Sequence, residues 1–174
     1  MKVLTISFLL VIATTINSYS QADGNWSVGV GTTRTVVGYT TNLYINRHLG
    51  ERWEVGAMPF ALFTFNSDFN YTMIGLNLNT RFYLSNWQTV RPYAYGYSGF
   101  GAIYSSFDNS QNPTSEKVTF SNTSFGAGLQ VPVGKKGWSL DGNFGYQGYF
   151  AITEEFDLHN TVFSFSVYKR FRKR

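Results

Sequence analysis

His159 and Thr161 stand two residues apart near the C-terminal end of the chain, and Glu154 and Glu155 precede them. An imidazole, a hydroxyl and a carboxylate are the groups from which a protein builds an activated nucleophile with its base. Threonine is a poorer match than serine for the nucleophile, and a lone histidine at a strand end is much more often a surface residue. We therefore predict no catalytic residue and no enzyme, and we keep this pair as an alternative.

Four charged residues stand on predicted strand faces that are otherwise small, polar and uncharged: Glu54, Arg81, Asp141 and Arg170. If those faces line an enclosed interior, we predict that the four side chains form an ion-pair network there. A buried charge has to be paired, because removing its partner costs about 3–5 kcal/mol. Two interpretations of the network stay open, namely packing that fills the interior and a gate. His48 is predicted to lie in a turn without an obvious partner.

The composition and the absence of known motifs argue against several classes of function. The chain has no cysteine, so it has no disulfide and no thiolate metal site. We find no P-loop, zinc motif, EF-hand or glycine-rich dinucleotide turn, and therefore expect no cofactor and no metal. The net charge is +4, but the cations are scattered over turns and a short tail with no stacking platform between them. We therefore expect no nucleic-acid partner.

The segment 73–84 indicates how the charged residues are positioned, because its side chains alternate with a period of two. Such alternation predicts a β-strand with two unlike faces. A soluble sheet usually turns lysine, glutamate and threonine to water, whereas this polar face is mostly small and uncharged. It suits a wet interior, with the apolar face against lipid. The two faces are Ile74, Leu76, Leu78, Thr80, Phe82, Leu84 and Met73, Gly75, Asn77, Asn79, Arg81, Tyr83.

The same alternation recurs along the chain and predicts eight strands. No mature segment is apolar for long enough to form a transmembrane helix, so only a closed barrel would span a bilayer. In strand three we expect Pro59 to cause a bulge or an edge irregularity, and we leave the register beyond it open. We also leave open which side of strand five faces lipid. The predicted strands are 24–33, 38–47, 52–63, 73–84, 91–104, 118–133, 138–150 and 160–171.

The N-terminal segment 1–22 is predicted to be a cleaved signal peptide. Lys2 is followed by a short apolar run and by small residues, so cleavage is expected after Ala22 or after Ser20. The segment 23–174 is then one β-barrel domain. Connections after strands two, four and six are short and, together with the adjoining strand ends and the C-terminal tail, carry a net positive charge, so we expect them on the periplasmic side. The other connections carry a net negative charge and are expected outside. Aromatic girdles are expected from Trp26, Trp53, Trp87, Trp138 and Tyr39.

Two segments carry a family resemblance. Arg91-Pro92-Tyr93 with the following Gly/Tyr alternation resembles the fifth strand of small outer-membrane β-barrels of the OmpA/OmpX/OmpW-like superfamily. The last strand resembles their terminal assembly signal, in the residues Phe163, Phe165, Val167 and Phe171. The resemblance implies an all-β fold: an eight-stranded antiparallel up-and-down transmembrane β-barrel in the outer membrane. It also implies outer-membrane lipid, lipopolysaccharide and the barrel-assembly machinery as partners of a monomer.

For function, we expect a structural, envelope-integrity or surface-interaction role with a packed and closed lumen, since an eight-stranded interior is just filled by side chains. Three alternatives remain. One is a narrow channel for small solutes. Another is a lipid A-modifying enzyme, because His159 and Thr161 distantly resemble the His-x-Ser pair of the lipid A deacylases. The third is a soluble lipocalin-like barrel, because Gly24-Asn25-Trp26 resembles the Gly-x-Trp that opens lipocalins.

Overall fold

The computed structural model describes residues 26–35, 38–64, 70–85, 89–107, 114–134, 137–152 and 157–171. The predicted signal peptide with its cleavage positions therefore lies outside the described residues. The same is true of Trp87, of most of the acidic loop residues and of the basic tail 172–174. Within the described ranges, no helix is long and apolar enough to span a membrane.

Eight antiparallel strands form one closed barrel, in which each strand pairs with its neighbour in sequence and β8 closes the sheet against β1. The predicted eight-stranded up-and-down barrel is confirmed. Closure leaves no sheet edge, so every strand finds backbone partners on both sides. The strands are β1 (Trp26–Thr35), β2 (Gly38–Leu49), β3 (Trp53–Thr64), β4 (Asn70–Tyr83), β5 (Arg91–Phe107), β6 (Thr114–Val133), β7 (Trp138–Ala151) and β8 (Asp157–Phe171).

The barrel has two ends with different connections. One end holds the short β2–β3, β4–β5 and β6–β7 connections, the start of β1 and the end of β8, and we call it the turn end. The loop end holds the other four connections. At the loop end β5 and β6 remain paired as far as Phe107 and Thr114, so most of the loop predicted between strands five and six is instead a continuation of this hairpin.

Alternation along each strand separates an apolar outer face from a buried inner face. In β2, for example, Leu43 and Ile45 are exposed while Asn42, Tyr44 and Asn46 are buried. A belt of exposed apolar side chains around a whole barrel would aggregate in water but is favourable in lipid. The outward residues include Val28, Val30, Leu76, Leu78, Phe100, Phe125, Leu129, Phe144, Phe163 and Phe165.

Pro59 causes a local irregularity rather than a bulge: the β2–β3 ladder has no pair at Met58 and Pro59, but it resumes in the same register. Thr41 pairs with Ala61 and Ile45 with Ala57, so β2 and β3 keep one register on both sides of the proline. On its other side Pro59 stands opposite Leu76 in an unbroken ladder with β4. Proline lacks only its own N–H, and the neighbouring pairs are sufficient to hold the strand. The alternation therefore continues beyond Pro59.

The structure also answers which face of β5 is turned inward. Tyr95 pairs with Arg81 across the ladder, and Tyr93 is buried while Phe100 is 64% exposed. The tyrosines therefore fill the lumen. Glycines opposite the rings make space for them, since a Cβ added to Gly128 would collide with the ring of Tyr93.

Candidate functional site

Arg81 lies at the centre of the lumen near the turn end. Its Nη1 donates a hydrogen bond to Oδ2 of Asp141 at 3.1 Å and lies 3.8 Å from Oε1 of Glu54. Its Nη2 donates to the hydroxyl of Tyr168. Arg81 is 4% exposed, Glu54 0% and Asp141 1%, so three charges share a space that water barely reaches. Their mutual pairing is what makes such burial tolerable.

Aromatic rings surround the guanidinium group. Its Cζ lies 4.7 Å from the ring centroid of Tyr168, 4.8 Å from that of Tyr93 and 5.6 Å from that of Tyr44. A planar guanidinium stacks on such faces and keeps its edge free for carboxylates. The rings therefore surround the cation while its nitrogens reach β3, β7 and β8.

Each carboxylate has further donors besides Arg81. Glu54 accepts hydrogen bonds from Nδ2 of Asn46 at 2.6 Å and from the hydroxyl of Tyr83 at 3.0 Å. Asp141 accepts one from the hydroxyl of Tyr93 at 2.8 Å. Buried charges need both a counter-charge and hydrogen bonds for their remaining lone pairs, and these donors supply the second requirement.

His48 was expected to lie in a turn without an obvious partner, and that prediction was wrong. It belongs to β2 and is 5% exposed, and its Nε2 lies 3.2 Å from Oε2 of Glu54. The sequence-based assignment ended strand two at Arg47, two residues before its end at Leu49. The inward alternation through Tyr44 and Asn46 was the signal that would have placed His48 in the lumen.

The four residues predicted to form the network thus have different positions. The structure brings Glu54, Arg81 and Asp141 together. Arg170 lies on the inner face of β8 opposite Ser27, closer to the turn end, and its backbone N–H donates to the carbonyl of Gly137 at 2.8 Å. Glu54, Arg81 and Asp141 form a cluster with four of the side chains that contact them. We call this cluster the charged plug: Glu54, Arg81, Asp141, His48, Tyr83, Tyr93 and Tyr168.

The middle of the lumen is polar and nearly filled. Two cavities lie there, with room for roughly one or two water molecules each. Asn77, Asn122 and Gln147 line one of them and are each at least 97% buried. Amide side chains of this kind suit a wet interior, and the space beside them is of the size of single water molecules.

The inner face at the loop end is apolar, which the sequence did not lead us to expect. We call this cluster the apolar plug: Phe60, Leu62, Met73, Phe120 and Tyr149. The ring centroids of Phe120 and Tyr149 are 5.4 Å apart, and those of Phe60 and Phe120 are 6.4 Å apart. The members are between 1% and 6% exposed, so they pack against one another inside the barrel.

The residues of the predicted assembly signal and the alternative catalytic pair, His159 and Thr161, lie on the outer face. Phe163, Phe165 and Phe171, from the predicted assembly signal, are exposed along β8, and Val167 shares their face. His159 stacks on Tyr146 at 5.8 Å and meets the ring of Phe150 at 5.4 Å. Thr161 is exposed on the same face. The described ranges contain no group of three or more His, Cys, Asp or Glu residues that could hold a metal ion.

No protein-family model and no curated protein matches this chain. Solved structures do match at the level of fold. A major outer membrane protein from Thermus thermophilus is 11% identical with a TM-score of 0.64, and the match covers 85% of this chain and 99% of that protein. The N-terminal β-barrel domain of Pseudomonas aeruginosa OprF is 14% identical with a TM-score of 0.55, and the match covers the same shares.

The attachment invasion locus protein Ail of Yersinia pestis also matches, in a complex with the heparin analogue sucrose octasulfate. It is 18% identical with a TM-score of 0.55, and the match covers 86% of this chain and 99% of Ail. These likenesses establish the fold: the chain has the eight-stranded barrel fold of outer-membrane proteins. That result agrees with the expected location in the outer membrane and with the belt of apolar residues on the outside.

Proposed function

We propose that the chain is a closed outer-membrane barrel with a structural, envelope-integrity or surface-interaction role and no catalysis or transport. The observation that carries this proposal is the filling of the lumen at two separate levels. The charged plug occupies the turn end, and the apolar plug occupies the loop end. A solute that crossed the barrel would have to displace both.

The charged plug is costly to open. Moving Arg81 aside would separate it from Asp141, and the loss of one partner of a buried pair costs about 3–5 kcal/mol. The apolar plug resists in a different way, because opening it exposes buried aromatic surface to water. Two barriers of unlike chemistry support packing rather than a gate, since no single stimulus would remove both.

The geometry around His159 supports the absence of catalysis. Its ring lies against Tyr146 and Phe150 on the outer face, where it contributes to an aromatic surface. Lipid, lipopolysaccharide and the assembly machinery are the partners that such a surface would contact during insertion and afterwards. In this proposal the barrel acts as a monomer.

A deletion strain tests the proposed role against the channel alternative. We expect the strain to become more sensitive to detergents and large antibiotics, and to take up small solutes at the parental rate. Complementation with the wild-type gene should restore the resistance, and an unrelated eight-stranded barrel expressed to the same level serves as the control. Slower solute uptake with unchanged detergent resistance would favour the channel and contradict the proposal.

A further inference from the structure

On the outer face of the turn end, two tryptophan rings each contact the cationic group of a neighbouring side chain. Cζ of Arg47 lies 5.9 Å from the ring of Trp26, and Nζ of Lys169 lies 5.1 Å from the ring of Trp138. Both tryptophans are 47% exposed. Tryptophan at a strand end marks the depth of the lipid headgroups, so both cations lie at the level of lipid phosphates.

The strand registers join the two pairs into one surface. Trp138 stands opposite Lys169, Lys169 opposite Val28, and Trp26 opposite Arg47. We call these five residues the seam patch, because they span the junction where β8 meets β1. Neighbouring strands are about 4.8 Å apart, so β8 and β2 are about 10 Å apart. Two long cationic side chains at that separation can reach one group that lies between them.

The charges of the seam patch are all of one sign among the described residues. Glu54 and Asp141 of the neighbouring strands point into the lumen rather than toward this patch. Nε of Arg47 is buried and makes no hydrogen bond within the part of the chain that the structure describes. The buried Nε has no surface through which to reach a ligand, so the donors that face outward are the terminal Nη groups of the half-buried Arg47, and such a guanidinium group in an apolar setting fits an oxyanion.

We infer that the seam patch binds the phosphate of an anionic phospholipid. The headgroup would lie over Trp26 and Val28, with Arg47 on one side and Lys169 on the other, and the acyl chains would run along the exposed apolar side chains of β8, β1 and β2. The stem of Lys169 lies along the barrel while its ammonium reaches the headgroups. Each cation near a headgroup contributes about a fivefold change in affinity.

Native mass spectrometry of the full mature barrel in detergent, with phosphatidylglycerol or phosphatidylcholine added at equal concentration, tests the inference. We expect wild type to retain one phosphatidylglycerol in preference to phosphatidylcholine. Arg47→Gln and Lys169→Gln should each weaken that retention about fivefold, and the double variant should abolish the preference.

Lys117→Gln is the matched control. Lys117 stands opposite Tyr104 at the loop end, with Nζ 5.7 Å from its ring, so the change removes the same charge and the same kind of contact elsewhere. This variant should bind phosphatidylglycerol as wild type does. Equal loss in Lys117→Gln, equal retention of both phospholipids, or a preference for lipopolysaccharide that the seam variants abolish would each overturn the inference. Heat-modifiable migration on gels confirms that every variant is folded.

Discussion

Replacement of Arg81 by alanine is expected to lower the free energy of unfolding by about 3–5 kcal/mol. The change leaves Glu54 and Asp141, both almost fully buried, with no cation between them. It also removes the group on which the rings of Tyr93 and Tyr168 stack. Equilibrium unfolding in urea, with the barrel in lipid vesicles and tryptophan emission as the signal, measures the difference.

A control and a rescue variant make this result specific to the buried charge. Arg34→Ala removes an exposed arginine from the outer face of β1 and should change stability by less than about 1 kcal/mol. Arg81→Met combined with Glu54→Gln and Asp141→Asn removes all three charges and should recover part of the loss, because a buried pair is often replaceable by neutral groups. If Arg81→Ala and Arg34→Ala are equally mild, the charged plug does not stabilise the lumen.

Replacement of Phe120 by alanine is expected to cost about 3–5 kcal/mol. Phe120 is 2% exposed and packs against Phe60 and Tyr149 in the apolar plug. Its removal loses the transfer free energy of the ring and leaves a cavity that the rigid barrel wall cannot close. The same urea titration provides the measurement.

Phe125, on the same strand, is the matched control, because it points outward and is 62% exposed. Phe125→Ala loses about 1.5–3 kcal/mol of transfer free energy, but lipid fills the vacated space and no cavity term is added. The double variant of Phe60 and Phe120 should be non-additive, since the two rings are in contact. A Phe125→Ala loss as large as that of Phe120→Ala would show that the apolar plug is not tightly packed.

The eight strands and their two faces could be predicted from the sequence, because burial on one side of a sheet follows directly from a period of two. Arg81 stood out for the same reason, as a lone charge on a polar face. Glu54 and Asp141 share the inward parity, so that the three meet once the strands are placed in order around a barrel. The predictions therefore succeeded where one strand, taken alone, carried the signal.

The rest depended on relations between strands. The apolar plug was missed because the irregularity expected at Pro59 left the inward direction of Phe60 and Leu62 open, and because Phe120 shares its strand face with the polar residues Asn122 and Ser124. The role of Tyr168 needs a partner from β4, which no single strand reveals. His48 was missed because the predicted end of strand two was two residues short, and strand ends are set by pairing rather than by local pattern.

The most direct test of a lumen closed at two levels is the conductance of the purified wild-type barrel in a planar lipid bilayer. We expect no discrete conductance steps under conditions in which a general porin in the same bilayer gives regular ones. Arg81→Ala should also stay closed if it inserts, because the apolar plug remains in place. Regular open steps from wild type, or steps that appear on removing Arg81 alone, would contradict the closed lumen.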